Sequence, residues 1–90
     1  MLEATVRVTN TLGLHARAAA QLVRLVNKFQ CKVTLKRSDS VLTADAKDIL
    51  SVLHLAASCG IELKISVDGD GESDVMPQIE KLFADKFGEE

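Results

Sequence analysis

The sequence predicts an α+β fold: a two-layer open-faced sandwich in which a four-stranded antiparallel sheet is covered on one side by three helices. Three observations carry this. Four short stretches alternate apolar with polar residues, the pattern of strands with one wet face. Between and after them the apolar period changes to 3.6, the mark of helices with one buried face. The chain of 90 residues is long enough for one core and too short for two.

Residues 2–9 place Leu2, Ala4, Val6 and Val8 against Glu3, Thr5, Arg7 and Thr9, so a first strand is expected there. Residues 16–28 follow with Ala19, Leu22, Val23 and Val26 on one face of a helix ~20 Å long. A second strand runs from Lys32 to Lys36 with Val33 and Leu35 inward, then Arg37-Ser38-Asp39-Ser40 turns the chain into a short strand at Val41–Ala44. A short helix over 48–58 has Val52, Leu55, Ala56 and Cys59 as its core stripe and Gly60 as its left-handed cap. The fourth strand alternates most strictly, with Ile61, Leu63, Ile65 and Val67 inward, and Gly69-Asp70-Gly71 ends it. Val75, Ile79, Leu82, Phe83 and Phe87 form a last helical stripe. Ser73 or Asp74 is its expected cap and Pro77 is expected in its first turn. The order is β-α-β-β-α-β-α, a single domain over residues 1–90, with no repeat, linker or low-complexity stretch.

Composition narrows the function. Hydrophobic residues are 47% and charged residues 27%, as in globular proteins, while aromatics are only 3%, three Phe and no Trp or Tyr. The core is therefore aliphatic, and stacking on nucleic-acid bases is not expected. Eleven Lys and Arg against 13 Asp and Glu give a net charge of -2, so no global attraction to nucleic acid or an anionic membrane is expected. No apolar run approaches the roughly 20 residues of a membrane span, and the first residues lack a signal-peptide pattern, which predicts a cytoplasmic protein. Cys31 and Cys59 have no zinc-ligand or redox spacing and are expected to be buried free thiols; no metal or cofactor site is expected.

Chemistry is concentrated in Leu12-Gly13-Leu14-His15-Ala16-Arg17. His15 falls at the start of the first helix, where unpaired backbone N–H groups favour an anion. Gly13 permits a sharp turn, and the Arg17 guanidinium matches phosphoryl oxygens. Histidine's ordinary pKa near 6.5 leaves a neutral nitrogen nucleophile near pH 7, and a helix N-terminus favours that neutral form. The residues therefore fit a phosphoryl-histidine site held by the amides of Ala16 and Arg17 and by the Arg17 side chain. Spacing alone also allows His15 to be only a helix cap or a surface residue.

Gly13-Leu14-His15-Ala16-Arg17-Ala18-Ala19 resembles the active-site segment of the histidine-containing phosphocarrier (HPr) family of the bacterial phosphotransferase system, and the resemblance extends over essentially the whole chain. It implies that His15 takes a phosphoryl group on Nδ1 from Enzyme I, itself charged by phosphoenolpyruvate, and passes it to Enzyme IIA domains. The protein is then a carrier, not an independent enzyme. Other regulatory partners and either a sugar-uptake or a nitrogen-regulatory branch are open, and a monomer is expected. Ala18 departs from the family, which usually has proline there; alanine is a strong helix former, so the helix should survive.

Arg17, Gln21, Arg24 and Lys28 form a basic stripe below His15, and with the resemblance Arg17 and Arg24 become docking residues for an acidic partner surface. On the short helix Ile49, Leu50 and Leu53 are left over from the core stripe and predict an exposed apolar docking patch. Asp48 stands where the resemblance places a regulatory serine; it is expected to cap the helix, the sharper alternative being a fixed negative charge that resembles a phosphoserine. His54 has no partner at useful spacing. A similar sandwich in the ACT domains binds small regulatory ligands, which is the alternative reading. RNA binding of the RRM kind would need aromatics on the open sheet face, where Thr5, Arg7, Lys32, Thr34, Lys36, Glu62, Lys64 and Ser66 stand instead.

Overall fold

The structure, a computed structural model, describes residues 1–89. Its strands are β1 (Leu2–Arg7), β2 (Lys32–Arg37), β3 (Thr43–Asp45) and β4 (Glu62–Asp68), joined in one antiparallel sheet of order β1-β4-β2-β3. The helices are α1 (Ala16–Val26), α2 (Ile49–His54) and α3 (Glu72–Ala84), with a 3-10 turn at Lys86–Gly88. The two central strands show the strictest alternation. Val33 and Leu35 on β2 and Leu63, Ile65 and Val67 on β4 are all buried, and register places Val33 opposite Val67 and Leu35 opposite Ile65. Leu22 and Val26 of α1, Val52 of α2, and Val75, Ile79 and Phe83 of α3 cover them. Each such apolar side chain contributes roughly 1.5–3 kcal/mol on burial.

Element ends depart from the periodicity where hydrogen bonds in a turn or between segments set them. The turn after β2 extends to Leu42, because Arg37 N–H donates to Leu42 O at 3.2 Å and Leu42 N–H donates to Ser40 Oγ at 3.1 Å. Val41, expected in β3, is consequently 87% exposed. Helix α1 stops at Val26 instead of residue 28: beyond it Lys28 N–H donates to Leu25 O at 3.2 Å and Phe29 N–H to Val26 O at 3.1 Å, i→i−3 bonds that tighten and close the last turn.

Helix α2 is shorter than the expected 48–58. Arg37 Nη1 reaches across from β2 and donates to Leu55 O at 3.2 Å and Ala56 O at 3.3 Å, while Ala56 turns left-handed at φ 53°. This reversal buries Ala57 in place of Ala56 and leaves Cys59 exposed. Only Cys31 is therefore a buried thiol, contrary to expectation. Gly60, expected to cap α2, instead precedes β4 and donates its N–H to Val8 O at 2.7 Å.

Helix α3 begins on Gly71, so neither Ser73 nor Asp74 caps it, and Pro77 falls in the second turn, not the first. Phe87 is buried as expected but lies beyond the helix, its ring edge-on to Phe83 at 4.9 Å and 70°. Lys86 and Phe87 both adopt φ 55°, which turns the C-terminal residues back over the start of α1.

Candidate functional site

His15 is the N-cap of α1. Its backbone is extended (φ -78°, ψ -176°) and its carbonyl accepts the first helical bond, from Ala19 N–H at 2.8 Å. The imidazole Nδ1 lies over the helix end and accepts from Arg17 N–H at 3.4 Å. This long contact leaves Nδ1 at the mouth of the free amides, with no acidic residue in the first turn to compete for them. Ala16 and Arg17 are exposed beside it, whereas Ala18 packs into the core without disturbing the helix.

Gly13 sets the entry angle. It turns at φ +70° with its Cα so close to the 57–58 backbone that an added Cβ would stand 2.7 Å from Ala57 O and 2.8 Å from Ser58 Cα. Leu14 N–H then donates to Ala57 O at 2.8 Å, and buried Leu14 anchors the loop. The histidine is thereby fixed by the segment that follows α2.

Two residues absent from the sequence-level site complete it. Glu89 Oε2 lies 2.8 Å from His15 Nε2, and Asn10 Nδ2 donates to Glu89 Oε1 at 3.1 Å and to Gly13 O at 2.8 Å. Asn10 is fully buried. The C-terminal arm is carried to this point by Phe87 and by Gln21 Nε2 donating to Phe87 O at 3.0 Å. Partial burial pushes the Glu89 carboxyl pKa up, but the hydrogen bonds from Asn10 and His15 and the positive charges of His15 and Arg17 outweigh it, holding the group below the usual carboxylate range. No sequence signal links positions 15 and 89, which meet only because the chain reverses after α3.

Around the histidine, Leu12, Leu14, Ala56, Ala57 and Ser58 line a shallow depression of about 220 Å³. Leu50 is 68% exposed and Ile49 is also exposed, so they present an apolar patch, but Leu53 is half-buried against the core. Leu53 thus contributes only an edge, because the short α2 turns that side of the helix inward. Asp48 caps α2, with Oδ1 accepting from Leu50 N–H at 3.0 Å and Ser51 N–H at 3.4 Å. Arg24 and Lys28 rim a groove between α1 and α3 floored by Leu25 and Leu82, and Lys81 of α3 adds a third cation that the α1 pattern could not reveal. His54 Nδ1 lies 3.3 Å from Leu50 O on its own helix, outside the site. Among the described residues no group of three or more potential ligands is placed to hold a metal ion, and no helix is long and apolar enough to cross a membrane.

A one-sided α+β sandwich that presents a histidine on the free amides of its first helix defines a small phosphocarrier domain. A family profile described as "PTS HPr component phosphorylation site" matches residues 2–85. The phosphocarrier protein HPr of Xylella fastidiosa (strain Temecula1) is 43% identical over 90 residues, covering 100% of this chain and 99% of that protein. That of Treponema pallidum (strain Nichols) is 42% identical over 90 residues and covers both chains in full. The crystal structure of HPr-C-His from Thermoanaerobacter tengcongensis superposes with a TM-score of 0.92 at 34% identity, covering 100% of this chain and 99% of that one. The chain belongs to the HPr family of phosphocarrier proteins of the phosphotransferase system.

Proposed function

We propose that His15 accepts a phosphoryl group on Nδ1 from phosphorylated Enzyme I and delivers it to Enzyme IIA domains in the cytoplasm, as part of sugar uptake or a regulatory branch. The observation that carries this is the placement of Nδ1 at the helix end, 3.4 Å from the Arg17 amide. A phosphoryl group there would accept from the Ala16 and Arg17 amides, in the positive field of the helix terminus. The exposed Arg17 guanidinium supplies a second, bidentate donor.

The partners supply the remaining catalytic machinery. Arg24 offers charge to an acidic partner face, while Ile49 and Leu50, with the edge of Leu53, offer it an apolar contact. Asp48 places a permanent negative charge on the rim of that face, where a serine would have been switchable. The protein acts as a monomer between larger partners. Incubation with Enzyme I and phosphoenolpyruvate should give an acid-labile phosphoryl adduct that His15→Ala abolishes. An undiminished adduct on the variant, or none on the native protein, would remove the basis for this function.

A further inference from the structure

We infer that Glu89 is a positioning residue that keeps a proton on His15 Nε2 through the whole transfer cycle, so that His15 gives and takes phosphoryl groups without gaining or losing a proton. This rests on the function proposed above, with His15 as the phosphoryl acceptor. An ionised carboxylate can only accept hydrogen bonds, so at 2.8 Å from Glu89 Oε2 the Nε2 atom must be the donor. In the neutral ring the lone pair is then on Nδ1, the atom that faces the helix amides.

When Nδ1 attacks phosphorus, the bond from phosphorus to the donor's atom breaks and its electron pair leaves with the donor. The ring becomes a phosphoimidazolium that still carries its Nε2 proton, and its positive charge meets the Glu89 carboxylate. On delivery, the acceptor's nucleophile bonds to phosphorus and the P–N electron pair returns to Nδ1. The neutral Nε2–H imidazole is regenerated directly, with no proton moved. Keeping the ring cationic while it carries the phosphoryl group makes it the better leaving group, because the electrons return to a cation and not to a neutral ring.

Several independent contacts build this arrangement. Glu89 Oε1 is held by buried Asn10 at 3.1 Å, which also fixes Gly13 O, so carboxylate and histidine loop share one anchor. The backbone before Glu89 is held by Phe87 against Phe83 and by Gln21. The side chains of Glu89 and His15 are 13% and 29% exposed, which limits competition from water at Nε2. Among the described residues the charged group bonded to the ring is Glu89, and the positive charge of Arg17 acts on that carboxylate. The wall formed by Leu12, Leu14 and the 56–58 loop carries no titratable side chain.

The test compares the full chain with Glu89→Gln and Glu89→Asp, each charged by Enzyme I and phosphoenolpyruvate. Nitrogen NMR of the phosphorylated protein reports the Nε2 proton, and hydrolysis of the adduct against pH reports its consequence. In Glu89→Gln both profiles should move to lower pH by roughly one unit, and onward transfer to an Enzyme IIA domain at pH 8 should fall roughly 10-fold, the scale of one charge-assisted hydrogen bond. Glu89→Asp should recover part of both. Superimposable profiles for native protein and Glu89→Gln, with the adduct formed normally, would overturn the assignment of Glu89 and leave the carrier function standing. Failure of the native protein to form any adduct would overturn both.

Discussion

Replacing Gly13 by alanine should destabilise the protein by roughly 2–5 kcal/mol, the sum of two effects at one atom. At φ +70° a non-glycine residue is strained, by about 1–2 kcal/mol. The new Cβ would also stand 2.7 Å from Ala57 O and 2.8 Å from Ser58 Cα, both backbone atoms that cannot rotate away. Relief requires moving the turn or the 56–58 loop, an overpacking cost of about 1–3 kcal/mol. The displaced bond is Leu14 N–H to Ala57 O, which holds the histidine loop down. Urea denaturation with linear extrapolation measures the loss. For a domain of this size it corresponds to a melting temperature lower by roughly 8–40 °C. Gly60→Ala is the internal control, because its φ is +96° but a Cβ there meets nothing within 4 Å, so only backbone strain remains. If Gly13→Ala were no more destabilising than Gly60→Ala, the close approach of the two loops would be wrong. His15 phosphorylation by Enzyme I should also slow in Gly13→Ala, since the histidine follows the turn.

Asp48→Ala should cost about 1 kcal/mol through loss of the α2 cap. Asp48→Ser should stay within a few tenths of a kcal/mol of native and create a kinase-accepting hydroxyl while leaving His15 phosphorylation intact, both measurable by denaturation and a phosphorylation assay. Leu50→Ala removes an exposed side chain, so stability should change by less than about 0.5 kcal/mol, whereas the Michaelis constant for a phosphotransfer partner should rise several-fold. Acid titration should reveal Glu89 and Asp39. Hydrogen bonding from Arg37 holds Asp39 below the usual range, and Glu89 is lowered as described. A lowered folded pKa means stability present above the unfolded pKa and lost as pH falls through the folded one. Acid unfolding of an Asp39→Asn/Glu89→Gln double variant should therefore be less steep than native below about pH 4.

Much of the fold is written in local pattern. The alternation in Ile61–Val67 and in Val33–Leu35 is a property of neighbouring residues, and a sheet with one covered face must bury those positions whatever else the chain does. Helix α1 was legible for the same reason, and so was the N-cap position of His15, because the helix must start where the apolar period starts. The capping role of Asp48 follows from its place directly before a helix.

Contacts between distant segments were not legible in that way. Arg37 ends α2 from another strand, which exposes Cys59 and buries Ala57, although periodicity favoured the reverse. Val41 and Leu42 look like strand residues, yet the hairpin's own hydrogen bonds place them in solvent. Leu53 belonged to the exposed flank by helical geometry, but an α2 ending at His54 tilts it to the core.

The sequence by itself determined the sandwich and the histidine at a helix end, since both follow from spacing along a few turns or a single strand. Only the tertiary structure decided what holds the imidazole's other nitrogen. Glu89 reaches His15 because Phe87 docks on Phe83 and two residues adopt φ 55°, a reversal with no periodic signature. Local pattern specifies which face of an element is buried, whereas the partner of a buried polar atom depends on where the whole chain comes to rest.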